Sequence, residues 1–245
     1  PDDLIALGEF IGRLRNLKAL DVLPYHTMGV NKYKELGIPY ALDGVEALKL
    51  IRDNADIWNI DENKIVVMGF SAGGHLAASL GCWYKSKIVE KVLGYNAEEI
   101  KPNALCLCYP VILSGQFAHE GSIKNLIGNA LEKSDVKSLL KSSFDLSDDD
   151  LQHLVSLNTQ IHKDFPPTFI WHTFEDSTVP MENSLTFAKN LREKAIPFEM
   201  HIFSKGEHGL ALGTKETALP DGKYFQSECS CWVELFEKWL GGIKA

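Results

Sequence analysis

Short, largely apolar runs alternate with longer stretches of helical periodicity along most of the chain. Four runs are bounded by turn residues, as is typical of strands buried in a parallel sheet, and they cover residues 65–68, 104–108, 168–172 and 198–203. Apolar side chains three and four positions apart predict helices over residues 44–58, 75–83, 182–195 and 224–240. This alternation predicts an α/β fold in which helices cover both faces of a mostly parallel sheet.

The first 24 residues add one helix and one strand to this pattern. Apolar positions on one face predict an amphipathic helix over residues 3–18. A short apolar run at residues 20–23 predicts a strand, and Pro24 ends it because proline has no N–H group to donate to a neighbouring strand.

Residues 114–164 have a different character from the rest of the chain. They contain helix-like stretches but no strong strand pattern. An insertion of this length between two strands often forms a lid over a binding site. We therefore expect a lid-like insertion that shapes the substrate pocket.

Composition excludes several classes of partner. The 245 residues suffice for one large domain or two small ones, and 45% hydrophobic with 24% charged residues is ordinary for a globular protein. The net charge of −8 repels a phosphate backbone, so we expect no nucleic-acid partner. No apolar run approaches the ~18 residues that a membrane-spanning helix needs, so we expect no membrane partner.

The cysteines indicate a structural role. Two pairs have the spacing C-x-C, and the chain contains neither a C-x-x-C pair nor the cysteine spacing of a zinc site. Reduced cysteines that pack as small hydrophobic residues are typical of cytoplasmic proteins. We therefore expect a cytoplasmic protein with no metal ion and no other cofactor; its cysteines are Cys82, Cys106, Cys108, Cys229 and Cys231.

The strongest chemical signal is the segment Gly69-Phe70-Ser71-Ala72-Gly73. Glycines two positions before and after a serine permit a strained turn between a strand and a helix, and here an apolar run precedes the motif and a small-residue helix follows it. Such a turn exposes the serine at the edge of the sheet. The backbone N–H of Ala72, at the start of the helix, can then bind a developing oxyanion.

A serine hydroxyl needs a base to take its proton. His208 lies in a glycine-bracketed loop after the last predicted strand, at the sheet edge where such a base is expected, so we assign it as the base. Helix periodicity indicates a structural role for His75, and the remaining histidines fall in loops, in the insertion or in strands: His26, His119, His153, His162, His172 and His201.

The base needs an acid that fixes its tautomer. The loop after the third predicted strand offers Glu175 and Asp176. Asp176 lies deeper in the loop, just before the segment Thr178-Val179-Pro180, and we assign it as the acid with Glu175 as the alternative. The chain order Ser71, Asp176, His208 is that of the α/β-hydrolases.

Residues 43–245 resemble an α/β-hydrolase of the acetyl-xylan-esterase-like and small carboxylesterase type. The stretches that carry the resemblance are DENKI at 61–65, MGFSAGGHLA at 68–77, PPTFIWH at 166–172, DSTVP at 176–180, ENSL at 182–185 and GEHG at 206–209. The resemblance implies ester hydrolysis through an acyl-enzyme, with Ser71 as nucleophile, His208 as base and Asp176 as orienting acid. It also implies a small-molecule or carbohydrate ester, such as an acetylated sugar, as the substrate.

Residues 1–42 resemble a different family, the C-terminal end of a pyruvate formate-lyase activating enzyme, so the chain resembles a fusion. The stretches DLIALGEFI at 3–11 and LDVLPYHTMGVNKY at 20–33 carry this resemblance. Those enzymes use a C-x-x-x-C-x-x-C cluster motif. No cysteine precedes Cys82 here, so their radical chemistry is not expected.

The resemblance also predicts a hydrolase that lacks its N-terminal strands. Enzymes of this type have several strands before the serine strand, and a loop there supplies a second oxyanion N–H. We identify no such loop, and the loss of one oxyanion donor typically costs about 100- to 1,000-fold in turnover. As a hypothesis, residues 20–24 replace a sheet strand beside the serine strand.

Three functions follow from these observations. The first is a serine esterase. The second is a catalytically impaired or dead hydrolase fold, which the missing oxyanion loop favours. The third is a serine peptidase of the same fold, because the same three residues serve both reactions.

Overall fold

A computed structural model describes residues 21–22, 44–87, 89–90, 94–132 and 148–243, so the helix predicted over residues 3–18 lies outside the described residues. Within them, five strands form one sheet in chain order, and every neighbouring pair is parallel. The strands are β1 (Asp21–Val22), β2 (Val66–Phe70), β3 (Ala104–Cys108), β4 (Thr168–Thr173) and β5 (Phe198–Phe203). The predicted α/β fold with its parallel sheet is thereby confirmed.

Eight α-helices lie in the same described ranges. They are α1 (Gly44–Asp53), α2 (Ala55–Trp58), α3 (Ala72–Trp83), α4 (Ala97–Ile100), α5 (Glu120–Glu132), α6 (Asp148–Val155), α7 (Glu182–Glu193) and α8 (Trp232–Gly242). None of these helices is both long and apolar enough to cross a lipid bilayer.

Strand order decides which face each helix covers. Each connection moves one strand along the sheet in the same direction, and right-handed crossovers then put successive helices on one face. Helices α1, α3 and α7 share a hydrophobic core on that face, which includes Leu48, Ala77, Leu107, Phe187 and Leu191. Helix α8 follows the last strand and covers the opposite face.

The second face has its own aromatic core. Trp232 and Phe236 of α8 pack against Phe169 and Trp171 of β4, and the indole rings of Trp171 and Trp232 stack with centroids 5.3 Å apart. Side chains alternate between the faces along a strand, so the cysteines of β3 point into this second core while its leucines point into the first. All five cysteines lie in described segments, and none forms a disulfide.

Two helix predictions differ from the structure. The helix predicted over residues 44–58 is interrupted at Asn54, whose side-chain amide donates to the carbonyl of Leu50 at 2.8 Å and competes with regular helix bonding. The helix predicted over residues 224–240 begins eight residues later, at Trp232. Tyr224 has a φ of +68°, and the amide of Gln226 donates to Gly213, so this segment follows turns that apolar spacing does not reveal.

β1 confirms the predicted strand over two residues. Asp21 pairs with Val66 and Val22 pairs with Val67, so this segment lies beside the serine strand as hypothesised. Among the described residues, β1 is the one strand that precedes β2 in the chain.

The described parts of the insertion, residues 114–132 and 148–164, pack near the carboxyl ends of the strands. Ile123 of α5 joins Val111, which follows β3, and Val179, which follows β4, in a small buried cluster. The described parts of the insertion therefore contact the two loops that leave the sheet beside Ser71.

Candidate active site

Ser71 occupies a sharp turn between β2 and α3. Its φ of +54° and ψ of −120° are unusual for a residue with a side chain. The amide of Ser71 donates to the carbonyl of Cys108 at 2.9 Å, and its own carbonyl accepts from the amide of Val111 at 3.0 Å. These bonds to the segment at the end of β3 hold the strained backbone in place.

Two glycines near Ser71, Gly69 of the motif and Gly74 directly after it, are required by close contacts with neighbouring atoms. A Cβ atom on Gly69 would overlap the carbonyl of Gly73, and one on Gly74 would lie 2.6 Å from Cβ of Pro110. A larger side chain at either position would push α3 away from β2 and β3. Gly69 and Gly74 are therefore needed for the close packing of α3 on the sheet.

The structure brings the three predicted site residues together. Ser71 Oγ lies 2.7 Å from His208 Nε2, and His208 Nδ1 lies 2.6 Å from Asp176 Oδ2. The side chain of Asp176 is fully buried, whereas that of His208 is 15% exposed. The serine can thus donate its proton to Nε2 while Nδ1–H donates to the carboxylate, which is the arrangement that activates a serine.

Both carboxylate oxygens of Asp176 accept hydrogen bonds. Its Oδ1 accepts from the amides of Thr178 at 3.0 Å and Val179 at 2.9 Å. Burial alone would raise the pKa of the Asp176 carboxyl, but hydrogen bonds from His172, His208 and the Val179 amide together hold that pKa well below its ordinary value. The acid is therefore ionised throughout the neutral range.

His172 belongs to this site, although the sequence placed it only within a strand. Its Nε2 lies 3.2 Å from Asp176 Oδ2 and 2.9 Å from the carbonyl of Val179, and its Nδ1 lies 2.8 Å from Ser184 Oγ. The side chain of His172 is fully buried. A histidine four positions before the assigned acid, at the end of a strand, was the available signal.

Glu175, the alternative acid, binds the backbone of the loop that contains His208. Its carboxylate accepts from the amide of Gly206 at 3.1 Å. Thr173 Oγ1 donates to the carbonyl of Gly206 at 2.8 Å, so this glycine is bound on both sides by the loop that follows β4. The two adjacent acidic residues thus have separate tasks: Asp176 contacts the imidazole, and Glu175 contacts the backbone two residues before it.

Tyr109 supports the other side of the imidazole. It follows β3 with a φ of +37°, and its ring centroid lies 5.0 Å from that of His208 in an edge-to-face arrangement. Burial raises the pKa of its phenol, and the phenol oxygen accepts from the amide of Ala211 at 3.0 Å. Sequence reasoning missed Tyr109 because its two partners lie about a hundred residues further along the chain.

The predicted oxyanion residue opens helix α3. Ala72 is the first residue of this 12-residue helix, so its amide is among the N–H groups that have no acceptor within the helix. His75, one turn later, donates from Nε2 to the carbonyl of Val155 at 2.9 Å and so connects α3 to α6. In the described part of the chain, no group of three or more His, Cys, Asp or Glu side chains could hold a metal ion.

Comparisons with known proteins match residues 35–191 to the BD-FAE family. Endo-1,4-beta-xylanase B of Butyrivibrio fibrisolvens is 36% identical over 213 residues, which cover 86% of this chain and 30% of that protein. Acetylxylan esterase of Xylanibacter ruminicola is 29% identical over 174 residues, which cover 70% of this chain and 31% of that protein. The chain thus spans less than a third of the length of each of these relatives.

A short segment matches another family. The pyruvate formate-lyase-activating enzyme of Listeria monocytogenes is 64% identical over 47 residues, which cover 19% of each chain.

Solved structures with the same fold include an acetyl ester-xyloside bifunctional hydrolase from Caldicellulosiruptor lactoaceticus. It is 32% identical with a TM-score of 0.64, and the match covers 94% of this chain and 87% of that one. The carboxylesterase Cest-2923 from Lactobacillus plantarum shares the fold at 23% identity and a TM-score of 0.62, over 82% of this chain and 68% of that one.

Proposed function

The chain belongs to the BD-FAE family of α/β-hydrolase esterases, and from that premise we propose that it hydrolyses carboxylic esters through an acyl-enzyme on Ser71. One observation carries the proposal: a continuous hydrogen-bonded chain runs from Ser71 Oγ through His208 to Asp176, at 2.7 and 2.6 Å. A serine with these partners is the nucleophile of acyl transfer.

The reaction has two halves. Ser71 Oγ attacks the ester carbonyl carbon while His208 Nε2 takes the hydroxyl proton, and the amide of Ala72 donates to the oxyanion. The bond to the alcohol then breaks, and the alcohol leaves with the proton from His208. A water molecule next attacks the acyl group and gives its proton to His208. That proton returns to Ser71 Oγ as the carboxylic acid leaves.

Asp176 contributes charge and orientation. Its hydrogen bond fixes the proton of His208 on Nδ1, so that Nε2 presents a lone pair to the serine. Because the carboxylate is ionised, it also stabilises the imidazolium that forms in each half of the reaction. The strained backbone at Ser71 keeps the hydroxyl within reach of Nε2.

We propose short-chain or acetylated carbohydrate esters as the substrate class. The names of an acetylxylan esterase and of an acetyl ester-xyloside bifunctional hydrolase among the similar proteins support this choice. The xylanase named among the relatives is more than three times as long as the matched segment, so its glycosidase activity is not assigned to this chain.

The test is labelling by a fluorophosphonate probe together with hydrolysis of p-nitrophenyl acetate. We expect the wild-type protein to be labelled and to release nitrophenol, and we expect Ser71→Ala to lose labelling and at least ~10³-fold in turnover. Ser177→Ala, in the loop of the acid, is the matched control and is expected to keep both. Absence of labelling in the wild type would contradict the esterase and favour the catalytically dead fold.

Substrate class is tested separately. We expect acetate release from acetylated xylo-oligosaccharides and no cleavage of peptide anilides. Cleavage of the anilides at a rate comparable to that of the esters would instead identify the serine peptidase.

A further inference from the structure

The imidazoles of two histidines contact the same carboxylate oxygen of Asp176. Oδ2 lies 2.6 Å from His208 Nδ1 and 3.2 Å from His172 Nε2, while Oδ1 accepts the two backbone amides that follow in the loop. The reaction described above uses one of these imidazoles. His172 does not contact Ser71, so its part in the site must be exerted through the carboxylate.

The contacts of His172 define its tautomer. The carbonyl of Val179 can only accept a hydrogen bond, so Nε2 carries the proton and shares it between that carbonyl at 2.9 Å and Asp176 Oδ2. In the neutral ring Nδ1 is then an acceptor, and it takes the hydroxyl proton of Ser184 at 2.8 Å. The neutral Nε2–H tautomer therefore satisfies all three partners without water.

The two nitrogens connect different elements. Ser184 lies in the first turn of α7 and is fully buried, as is Asn183 beside it. His172 itself is on β4, and Asp176 is in the loop between β4 and α7. The imidazole thus fixes the carboxylate to both elements that border its loop, and the carboxylate cannot rotate without losing the Nε2–H bond.

We propose that His172 is a positioning residue, which holds Asp176 Oδ2 at the place where it orients His208 toward Ser71. This inference rests on the proposed function. The chain of contacts is short: a shift of Oδ2 moves the ring of His208, whose Nε2 is 2.7 Å from the nucleophile. A misplacement of about 1 Å in such a site can cost about 100-fold in rate.

Substitution of His172 by either of two neutral amide residues distinguishes the contribution of Nε2 from that of Nδ1. His172→Gln can place an N–H group where Nε2 lies, toward Asp176 and Val179. His172→Asn can place its amide only where Nδ1 lies, toward Ser184. Both variants lose the aromatic ring, so a purely structural role would affect them alike.

The experiment measures kcat and KM for p-nitrophenyl acetate, together with the downfield NMR signal of the proton between His208 and Asp176. We expect His172→Gln to keep kcat within about 3-fold and to keep the signal. We expect His172→Asn to lower kcat by about 10- to 100-fold with KM unchanged and to shift or lose the signal. Ser184→Ala removes the contact at Nδ1 but leaves the Nε2–H bond in place, and we expect it to lower kcat less than His172→Asn does and to keep the NMR signal.

Equal kcat values and equal NMR signals in the two variants would overturn the proposal, as would the failure of both variants to fold. The NMR signal does not require turnover. A wild-type protein that is not labelled at Ser71 would therefore contradict the esterase function, while loss of the signal in His172→Asn alone would still support the positioning role.

Discussion

Asp176 carries its negative charge inside the protein, and four N–H groups share that charge. An unpaired buried carboxylate would protonate, because burial disfavours the charged form. Here two amides and two imidazoles more than offset burial, so the pKa of Asp176 falls well below its ordinary value. The residue that contacts the imidazole of His208 is thus also a residue on which stability depends.

This dependence has a defined sign with pH. The pKa of Asp176 is lower in the folded protein than in the unfolded chain, so its ionisation stabilises the fold fully above about pH 4, and this stabilisation decreases progressively as the pH falls from there through the folded-state pKa. We expect the free energy of unfolding of the wild type to exceed that of Asp176→Asn by more at about pH 7 than at about pH 3.5. Urea unfolding of both proteins at a series of pH values measures this difference.

Asp56→Asn is the matched control for that series. Asp56 is exposed on α2 and lies 120 positions before Asp176 in the chain. Its substitution should change the free energy of unfolding little at either pH. A difference between wild type and Asp176→Asn that is constant or grows toward acid pH would contradict the expectation.

At the scale of residues, local sequence motifs were sufficient to predict most of the candidate site. The glycines around Ser71 and the glycines around His208 are adjacent in sequence to the residues they serve, so the pattern was visible. His172 and Tyr109 were not visible as site residues, because no local pattern marks them. Their roles arise from tertiary contacts with Ser184 and Ala211, which lie in other elements.

At the scale of elements, α3 packs closely on its neighbours. Most of its buried residues are small, and Gly74 and Gly81 leave no room for a side chain. A Cβ atom on Gly81 would lie 2.7 Å from Cε2 of Phe165 and 2.9 Å from Cδ1 of Leu105. The helix that follows Ser71 can therefore lie this close to its neighbours because Gly74 and Gly81 have no side chains.

Substitution of Gly81 tests this packing. Overpacking typically costs about 1–3 kcal/mol, while alanine gains about 0.5–1 kcal/mol over glycine within a helix. We expect Gly81→Ala to lower the free energy of unfolding by about 1–2 kcal/mol in urea titration. Gly115→Ala is the control, because Gly115 is exposed and no atom lies within 4 Å of its added Cβ. Equal stability of the two variants would contradict close packing at Gly81.

Element boundaries show where apolar periodicity fails. β3 and β5 have the bounds that their patterns predicted, because turn residues flank both. The start of α8 was predicted eight residues too early, since residues 224–231 have apolar and aromatic side chains but follow turns. The turns of residues 224–231 are fixed by contacts with the loop at Gly213. That loop lies outside the stretch whose apolar spacing predicted the helix.

At the scale of the whole molecule, β1 lies on the outer edge of the sheet beside β2. An exposed strand edge presents unpaired N–H and C=O groups and promotes association between chains. The pairing of Asp21 and Val22 with β2 covers part of that edge. The apolar pattern alone predicted a parallel sheet without strand neighbours, because this pairing joins residues that are about 45 positions apart. The hypothesis that residues 20–24 lie beside the serine strand came instead from their position in the chain before that strand, and the pairing confirms it.

Removal of residues 1–24 tests the role of β1. We expect the shortened protein to form larger species by light scattering and to unfold at a lower temperature than the full chain, because the edge of β2 is exposed. The full chain at the same concentration is the reference. A monodisperse shortened protein with an unchanged melting temperature would show that β1 does not protect the edge.

Strand order also has a consequence for protein synthesis. Because the strands follow one another in space as they do in the chain, each new unit can dock on the edge left by the previous one as the ribosome extends the polypeptide. Ser71 is made first, Asp176 follows more than a hundred residues later, and His208 is made last. A nascent chain that has not reached His208 therefore lacks one of the three residues that the proposed esterase activity needs, and we expect that activity only after the segment around His208 has folded.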